Sequence, residues 1–228
     1  MPNSPFSFLV QDIYQESPNA KRYSFDYGLT PFEFYPGQFS VLTLPNRNTP
    51  QTAAITLACS PLRRQNFEFV VVRTGDFGTK FYDTVQIGDL VPMQAPAGKF
   101  HLDITDPRPI LFIAYDYCVT GARAFWQYHQ DVQMSKDFVF VHPYRGYDQA
   151  LFKNEFENTS SSKRNYMPLE LPTNPEAVLD PNFLSQAIQS LPDSLIYLTG
   201  EGKDVMHLKK TLESLGKNPQ SIRTERWS

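Results

Sequence analysis

Four consecutive residues, Tyr115-Asp116-Tyr117-Cys118, bring together two phenols, a carboxyl and a thiol. They lie where the apolar run Ile110 to Ala114 gives way to Thr120-Gly121-Ala122 and then to Phe125, Trp126 and Tyr128. The run reads as a parallel strand buried on both faces, and the stretch from Thr120 reads as a helix. At such a corner free backbone N–H groups and the positive helix end hold phosphates, provided glycines let the backbone come close. Here two aromatic rings fill that space and Asp116 adds a negative charge. The corner has the architecture of a nucleotide site and the opposite chemistry. Arg145 is a candidate phosphate contact, with a strand-end salt bridge as its alternative. The histidines, His101, His129, His142 and His207, show no ligand spacing, and most are expected at the surface or at strand ends. Cys59 and Cys118 are too few for a disulfide framework and lack the clustering of a zinc or iron–sulfur site, so no metal is expected.

The elements that must position these residues fall into two grammars. Phe6 to Tyr14, Arg22 to Tyr27, Gln38 to Leu44, Ala53 to Ala58, Phe67 to Thr74 and Leu90 to Gln94 are short runs rich in Val, Ile, Phe, Tyr and Thr, divided by Pro, Gly and Asn. Strands at this spacing predict an antiparallel barrel. Beyond Asp106-Pro107-Arg108-Pro109 the pattern changes. Ile110 to Ala114, Phe138 to His142 and Ser194 to Gly200 are buried-type strands, while Gly121 to Gln130, Asp180 to Leu191 and Lys203 to Leu215 have helical spacing. That alternation predicts a parallel sheet flanked by helices, with a barrel of residues 1–106 and an α/β domain of residues 107–228. Asn158 to Pro175 reads as an irregular excursion.

The 228 residues carry 41% hydrophobic content and a net charge of -3, which suits a folded chain and argues against nucleic acid as a main partner. There is no basic n-region followed by an apolar h-region, and no run approaches the ~18 apolar residues of a membrane span. The expectation is a soluble cytoplasmic protein with no membrane partner. No Gly-x-Ser-x-Gly, Gly-Lys-Thr/Ser or His-Glu-x-x-His motif occurs.

Seven local motifs succeed one another in a specific order. Phe34-Tyr35-Pro36-Gly37-Gln38-Phe39 resembles the Pro-Gly-Gln-Phe strand entry of the ferredoxin/flavodoxin–NADP reductase superfamily. Ile55 to Pro61 resembles its flavin-facing strand, Gly75 to Thr79 its Gly-x-x-Ser/Thr turn, and Gly88-Asp89 the turn before the next strand. Ala97-Gly98-Lys99-Phe100, Val141 to Arg145 and the closing Thr224-Glu225-Arg226-Trp227-Ser228 are similar to the Ala-x-Gly-x-Phe, Val-His-x-x-Arg and terminal Glu-aromatic motifs of the bacterial-type reductases. The resemblance implies an FAD-binding barrel followed by an NAD(P)-binding-like α/β domain. It implies flavin contacts from Thr56, the backbone of Gly78, Thr79, Glu225 and Trp227. Thr79 has a plain helix N-cap as its alternative role, and Trp227 an apolar anchor.

The chain departs from that pattern at its cofactor contacts. The family's Arg-x-Tyr-Ser/Thr reads Ala53-Ala54-Ile55-Thr56, so the phosphate arginine and the stacking tyrosine are gone and only the hydroxyl remains. Arg63, Arg64 and Arg73 are candidate substitutes, with an ordinary solvated surface position as the favoured alternative for each. The family's Cys-Gly-x-x run reads Thr199-Gly200-Glu201-Gly202, and the segment expected to recognise the NADP 2′-phosphate holds no arginine. FAD or FMN is therefore expected to bind weakly, and NAD(P)H not usefully. Three function classes stay open: a reductase-like subunit, scaffold or regulator that is non-catalytic or depends on a protein partner; a divergent flavin oxidoreductase; and a small-molecule binding protein using the old cleft. Tyr115, Tyr117 and Trp227 would be the contact residues for a partner.

Overall fold

The structure, a computed structural model, describes residues 6–45, 49–174 and 176–227. Six strands form the first sheet: β1 (Phe6–Ser17), β2 (Ala20–Asp26), β3 (Phe39–Thr43), β4 (Thr52–Thr56), β5 (Asn66–Val72) and β6 (Leu90–Met93). Their order is β4-β3-β6-β1-β2-β5 and every pairing is antiparallel. A bridge between Leu57 and Phe69, with Ala58 N–H donating to Glu68 O at 2.8 Å, joins the end strands and makes the sheet barrel-like. Alternation along β1, β2 and β5 turns Phe8, Val10, Tyr23, Phe25, Phe67 and Phe69 inward. Phe67 is central, with its ring centroid 4.6 Å from Phe32 and 4.9 Å from Phe8. After β5 comes α1 (Gly75–Thr84).

The second sheet is parallel: β7 (Ile110–Ala114), β8 (Phe138–Tyr144), β9 (Arg164–Glu170), β10 (Leu195–Glu201) and β11 (Ile222–Trp227), in the order β11-β10-β7-β8-β9. Between them run α2 (Thr120–Asp131), α3 (Lys153–Asn158), α4 (Pro181–Ser190) and α5 (Gly202–Ser214). The chain builds outward from β7 to β9, then returns to lay β10 and β11 on the other side. The order therefore reverses between β7 and β10, the place where open α/β sheets bind ligands. All of β7 is buried, as its unbroken apolar run requires. Asp180 caps α4 by accepting from Asn182 N–H at 2.8 Å, with Pro181 in the first turn.

Residue contacts divide the chain into two compact units, Met1–Leu102 with Arg123–Val132, and Asp103–Ala122 with Gln133–Ser228. Within the first, the body of α2 is tied to the barrel by Arg123, which donates to Ala58 O at 2.7 Å and to Glu68 Oε2 at 2.6 Å, and by Gln127 Oε1, which accepts from Ser60 N–H at 3.1 Å. Burial pushes the Glu68 carboxyl up, but Arg123 and Arg22 outweigh it and hold the group below its ordinary range.

Two expectations are corrected, and one strand goes unforeseen. The excursion from Asn158 to Pro175, of which Pro175 lies outside the described residues, contains β9, in parallel register with β8 from Phe138↔Arg164 to Tyr144↔Glu170. An edge strand tolerates Pro168 and charged residues, so its sequence lacks the buried-strand signature. The edge strand β11, with Arg223, Thr224 and Arg226 exposed, is masked in the same way. Finally, His129 and His142 are fully buried.

Candidate functional site

On the barrel, Thr56 closes β4 opposite Phe39 and is 4% exposed. Its Oγ1 is buried and has no hydrogen-bond partner among the described residues. A buried hydroxyl without a partner costs about 1–3 kcal/mol, so the position suits a ligand that supplies one. Ala53 and Ala54 are half-buried, and Ile55 packs against the barrel core. At the other end of β4, Gln51 Nε2 donates to Asp76 Oδ2 at 2.9 Å and Lys80 Nζ donates to Gln51 Oε1 at 3.3 Å. These bonds hold the first turn of α1 beside the start of β4. The N-cap of α1 is Thr74, extended and without a side-chain cap bond, and Thr79 lies inside the helix. A Cβ at Gly78 would meet Val72 O at 2.4 Å, so only glycine lets α1 approach the end of β5 this closely. Of the candidate substitute arginines, Arg63 pairs with Asp131 at 3.4 Å and Arg73 with Asp83 at 3.1 Å, while Arg64 is exposed.

In the α/β unit the strand-end corner is organised around Arg145, at the end of β8. Asp116 takes a left-handed conformation (φ 50°), which Asp tolerates better than most residues. Its Oδ1 accepts from Arg145 N–H at 2.7 Å and its Oδ2 from Arg145 Nη1 at 2.6 Å. Arg145 Nη2 donates to Asp204 Oδ1 at 2.6 Å and to Ala177 O at 3.1 Å. One cation is thus shared by two carboxylates, and Arg145 and Asp204 are 9% and 4% exposed. Burial, outweighing the bonds from Arg145, pushes the Asp116 carboxyl above its ordinary range. Asp204, in the first turn of α5, is invisible as a site residue in the sequence; its only signal is an acid four residues after Gly200 at a helix start.

Tyr115 is 2% exposed and is a packing residue rather than a surface contact. Its hydroxyl accepts from Leu179 N–H at 3.3 Å, its ring lies 5.3 Å from the Arg145 guanidinium, and burial pushes its phenol up to about 12. Gly200 makes room for it, since a Cβ there would lie 3.2 Å from Tyr115 Cβ. Tyr117 is half-buried and donates to Asp148 Oδ2 at 3.1 Å. Behind the corner, His142 Nε2 faces Asp116 O at 3.1 Å and must donate to it, so Nδ1 accepts from Tyr166 O–H at 3.0 Å. Burial pushes this imidazole down to about 4, and it stays neutral. Cys118 is a free thiol pushed up by burial and then by the charges of Asp116, Glu201, Glu225 and Asp204. No group of three or more His, Cys, Asp or Glu among the described residues could hold a metal ion.

Glu225 and Trp227 lie on β11, opposite Thr199 and Glu201 of β10. Trp227 borders a shallow depression of about 520 Å³ with Glu201, Gly202, Lys203 and Arg226. Ser228, the last residue of the closing motif, is outside the described residues. Burial pushes the Glu225 carboxyl up from 4.5 to about 7. The folded state keeps a proton that the unfolded chain releases near pH 4.5, so the stability this proton lends is complete below that pH and lost as pH rises through 7. Glu225→Gln is expected to flatten the stability profile across that window and to leave the variant more stable than the parent at pH 8 by roughly 1–3 kcal/mol. Urea midpoints at pH 5 and pH 8 measure it, and parallel profiles would contradict it.

No protein-family model matches the chain. Over 137 residues, 59% of its length, it is 26% identical to the glycine betaine monooxygenase reductase subunit of Pseudomonas aeruginosa (strain UCBPP-PA14), matching 37% of that protein. The chain thus spans well under half the length of this curated relative. Its structure is similar to the ferredoxin reductase in carbazole 1,9a-dioxygenase, with a TM-score of 0.83, 17% identity, and 100% and 70% of the two chains covered. It is also similar to the flavohem-like FAD/NAD binding domain of nitric oxide dioxygenase from Vibrio cholerae O1 biovar El Tor, with a TM-score of 0.77, 16% identity, and 98% and 99% covered. The barrel-like antiparallel sheet followed by a parallel α/β sheet is the ferredoxin reductase-like fold, which the chain shares with these structures.

Proposed function

We propose that the chain is a reductase-type electron-transfer module that holds FAD or FMN on a barrel domain of residues 1–106 and exchanges electrons with a protein partner. In this reading the α/β domain, residues 107–228, does not take free NADH or NADPH, no metal is involved, and the protein works in the cytoplasm. The observation that carries it is the unpartnered, buried Oγ1 of Thr56. A flavin supplies one- and two-electron transfer when bound. Thr56 would hydrogen-bond the ring system, and the backbone of Gly78 with the Thr79 hydroxyl would meet the phosphate end. β4 spans roughly 14 Å at ~3.4 Å per residue, room for the ring at Thr56 and a phosphate beside the start of the strand, where Gln51 meets α1. The reductase subunits and flavin-binding domains among the similar proteins support this reading. No helix among the described residues is long and apolar enough to cross a membrane.

A second reading, a subunit or scaffold without flavin, is favoured by Ala53-Ala54-Ile55, which offer neither charge nor aromatic face, and by Ile55 packing against the barrel core. Thr56→Val separates the two. If the hydroxyl serves a flavin, the apo variant is at least as stable as the parent and loses about tenfold in flavin affinity, equivalent to ~1.4 kcal/mol. If no flavin binds, parent and variant give identical flat titrations.

A further inference from the structure

We propose that Asp116 is the built-in anion of an Arg145-centred phosphate seat, so that the nucleotide end of the α/β unit is closed by the chain's own carboxylate. The inference deepens the reading that NAD(P)H is not taken, and it is independent of flavin binding on the barrel. Its basis is the donor set that Asp116 occupies: one backbone N–H and one guanidinium N–H of the same residue, at 2.7 and 2.6 Å. Two phosphate oxygens would take these same donors, since a backbone amide beside an arginine is a general oxyanion arrangement. The seat lies where the strand order reverses, the position at which dinucleotides meet such sheets.

Three further observations show that the seat is filled rather than merely altered. Asp204 holds the other side of the guanidinium at 2.6 and 3.1 Å, so Arg145 already faces two carboxylates. Tyr115 packs against Gly200 and bonds Leu179, with its buried ring 5.3 Å from the Arg145 guanidinium. Glu201 adds negative charge around Cys118, the wrong sign for a pyrophosphate. Asp204 shares Nη1 and takes Nη2, but both the backbone N–H and a guanidinium N–H of Arg145 are taken only by Asp116. Its left-handed backbone is one that glycine adopts freely, so Asp116→Gly removes the carboxylate without straining the turn.

Calorimetric titration with inorganic pyrophosphate and with NADH tests this. The parent protein is expected to bind neither at about millimolar concentration, whereas Asp116→Gly binds pyrophosphate at least tenfold more tightly, and Asp116→Gly with Arg145→Met loses that gain. A parent Kd in the micromolar range for NADH would overturn both this proposal and the reading beneath it. An Asp116→Gly variant with parental near-UV circular dichroism and no pyrophosphate binding would overturn the lock alone. Should the variant not fold, mapping phenylglyoxal modification on the parent decides. An unmodified Arg145 supports the lock, and an Arg145 that reacts and is protected by pyrophosphate overturns it.

Discussion

Arg145→Met is expected to cost about 3–5 kcal/mol of stability at pH 7, because it leaves Asp116 and Asp204 buried without their cation. Methionine fills much of the volume, so the loss comes from electrostatics and hydrogen bonds rather than from a cavity. The Asp116 carboxyl, already above its ordinary range through burial, would rise further in the variant, and protonation would relieve it. The deficit is therefore expected to shrink as pH falls from 7 towards 5, opposite to the behaviour of a packing defect. Urea unfolding of parent and variant at both pH values measures it. A pH-independent loss below about 1 kcal/mol would mean that the ion triad contributes little.

Gly37→Ala should destabilise the barrel unit by about 2–4 kcal/mol, combining a left-handed backbone with overpacking. Gly37 has φ 95°, and a Cβ there would lie 2.6 Å from Phe125 Cε1 and 2.8 Å from Phe100 O. The second contact is with backbone, which has no rotamer by which to yield. Thermal unfolding with Gly28→Ala as a reference separates the two causes: Gly28 also has positive φ (54°) but nothing within 4 Å of its Cβ. Equal losses in both variants would assign the effect to conformation alone.

The parts of the fold legible in the sequence are those whose burial is uniform. Ile110–Ala114 is recovered to the residue because a central parallel strand must be apolar throughout, and the start of α4 because Asp180-Pro181 is a capping signal. β9 and β11 escape notice because edge strands carry Pro168, Arg223 and Arg226, residues that satisfy the free edge rather than a core. At the corner, Asp116 and Arg145 are visible as charges, but their pairing is not. It depends on the left-handed turn at Asp116 and on Asp204, 59 residues beyond Arg145 and brought to it by tertiary structure. For Tyr115 a loop position suggests a surface ring, whereas Gly200 opens a place for it beneath the turn. The role of Thr56 rests on a motif, and only the structure reveals its hydroxyl as unpartnered.

The central claim, a flavin-holding reductase module, is tested most directly by titrating the apoprotein with FAD and following the visible flavin band and flavin fluorescence. The expected result is saturation at one flavin per chain with a Kd in the micromolar range, weakened in Thr56→Val. Absence of any spectral change at about millimolar FAD, with the protein folded, would contradict it.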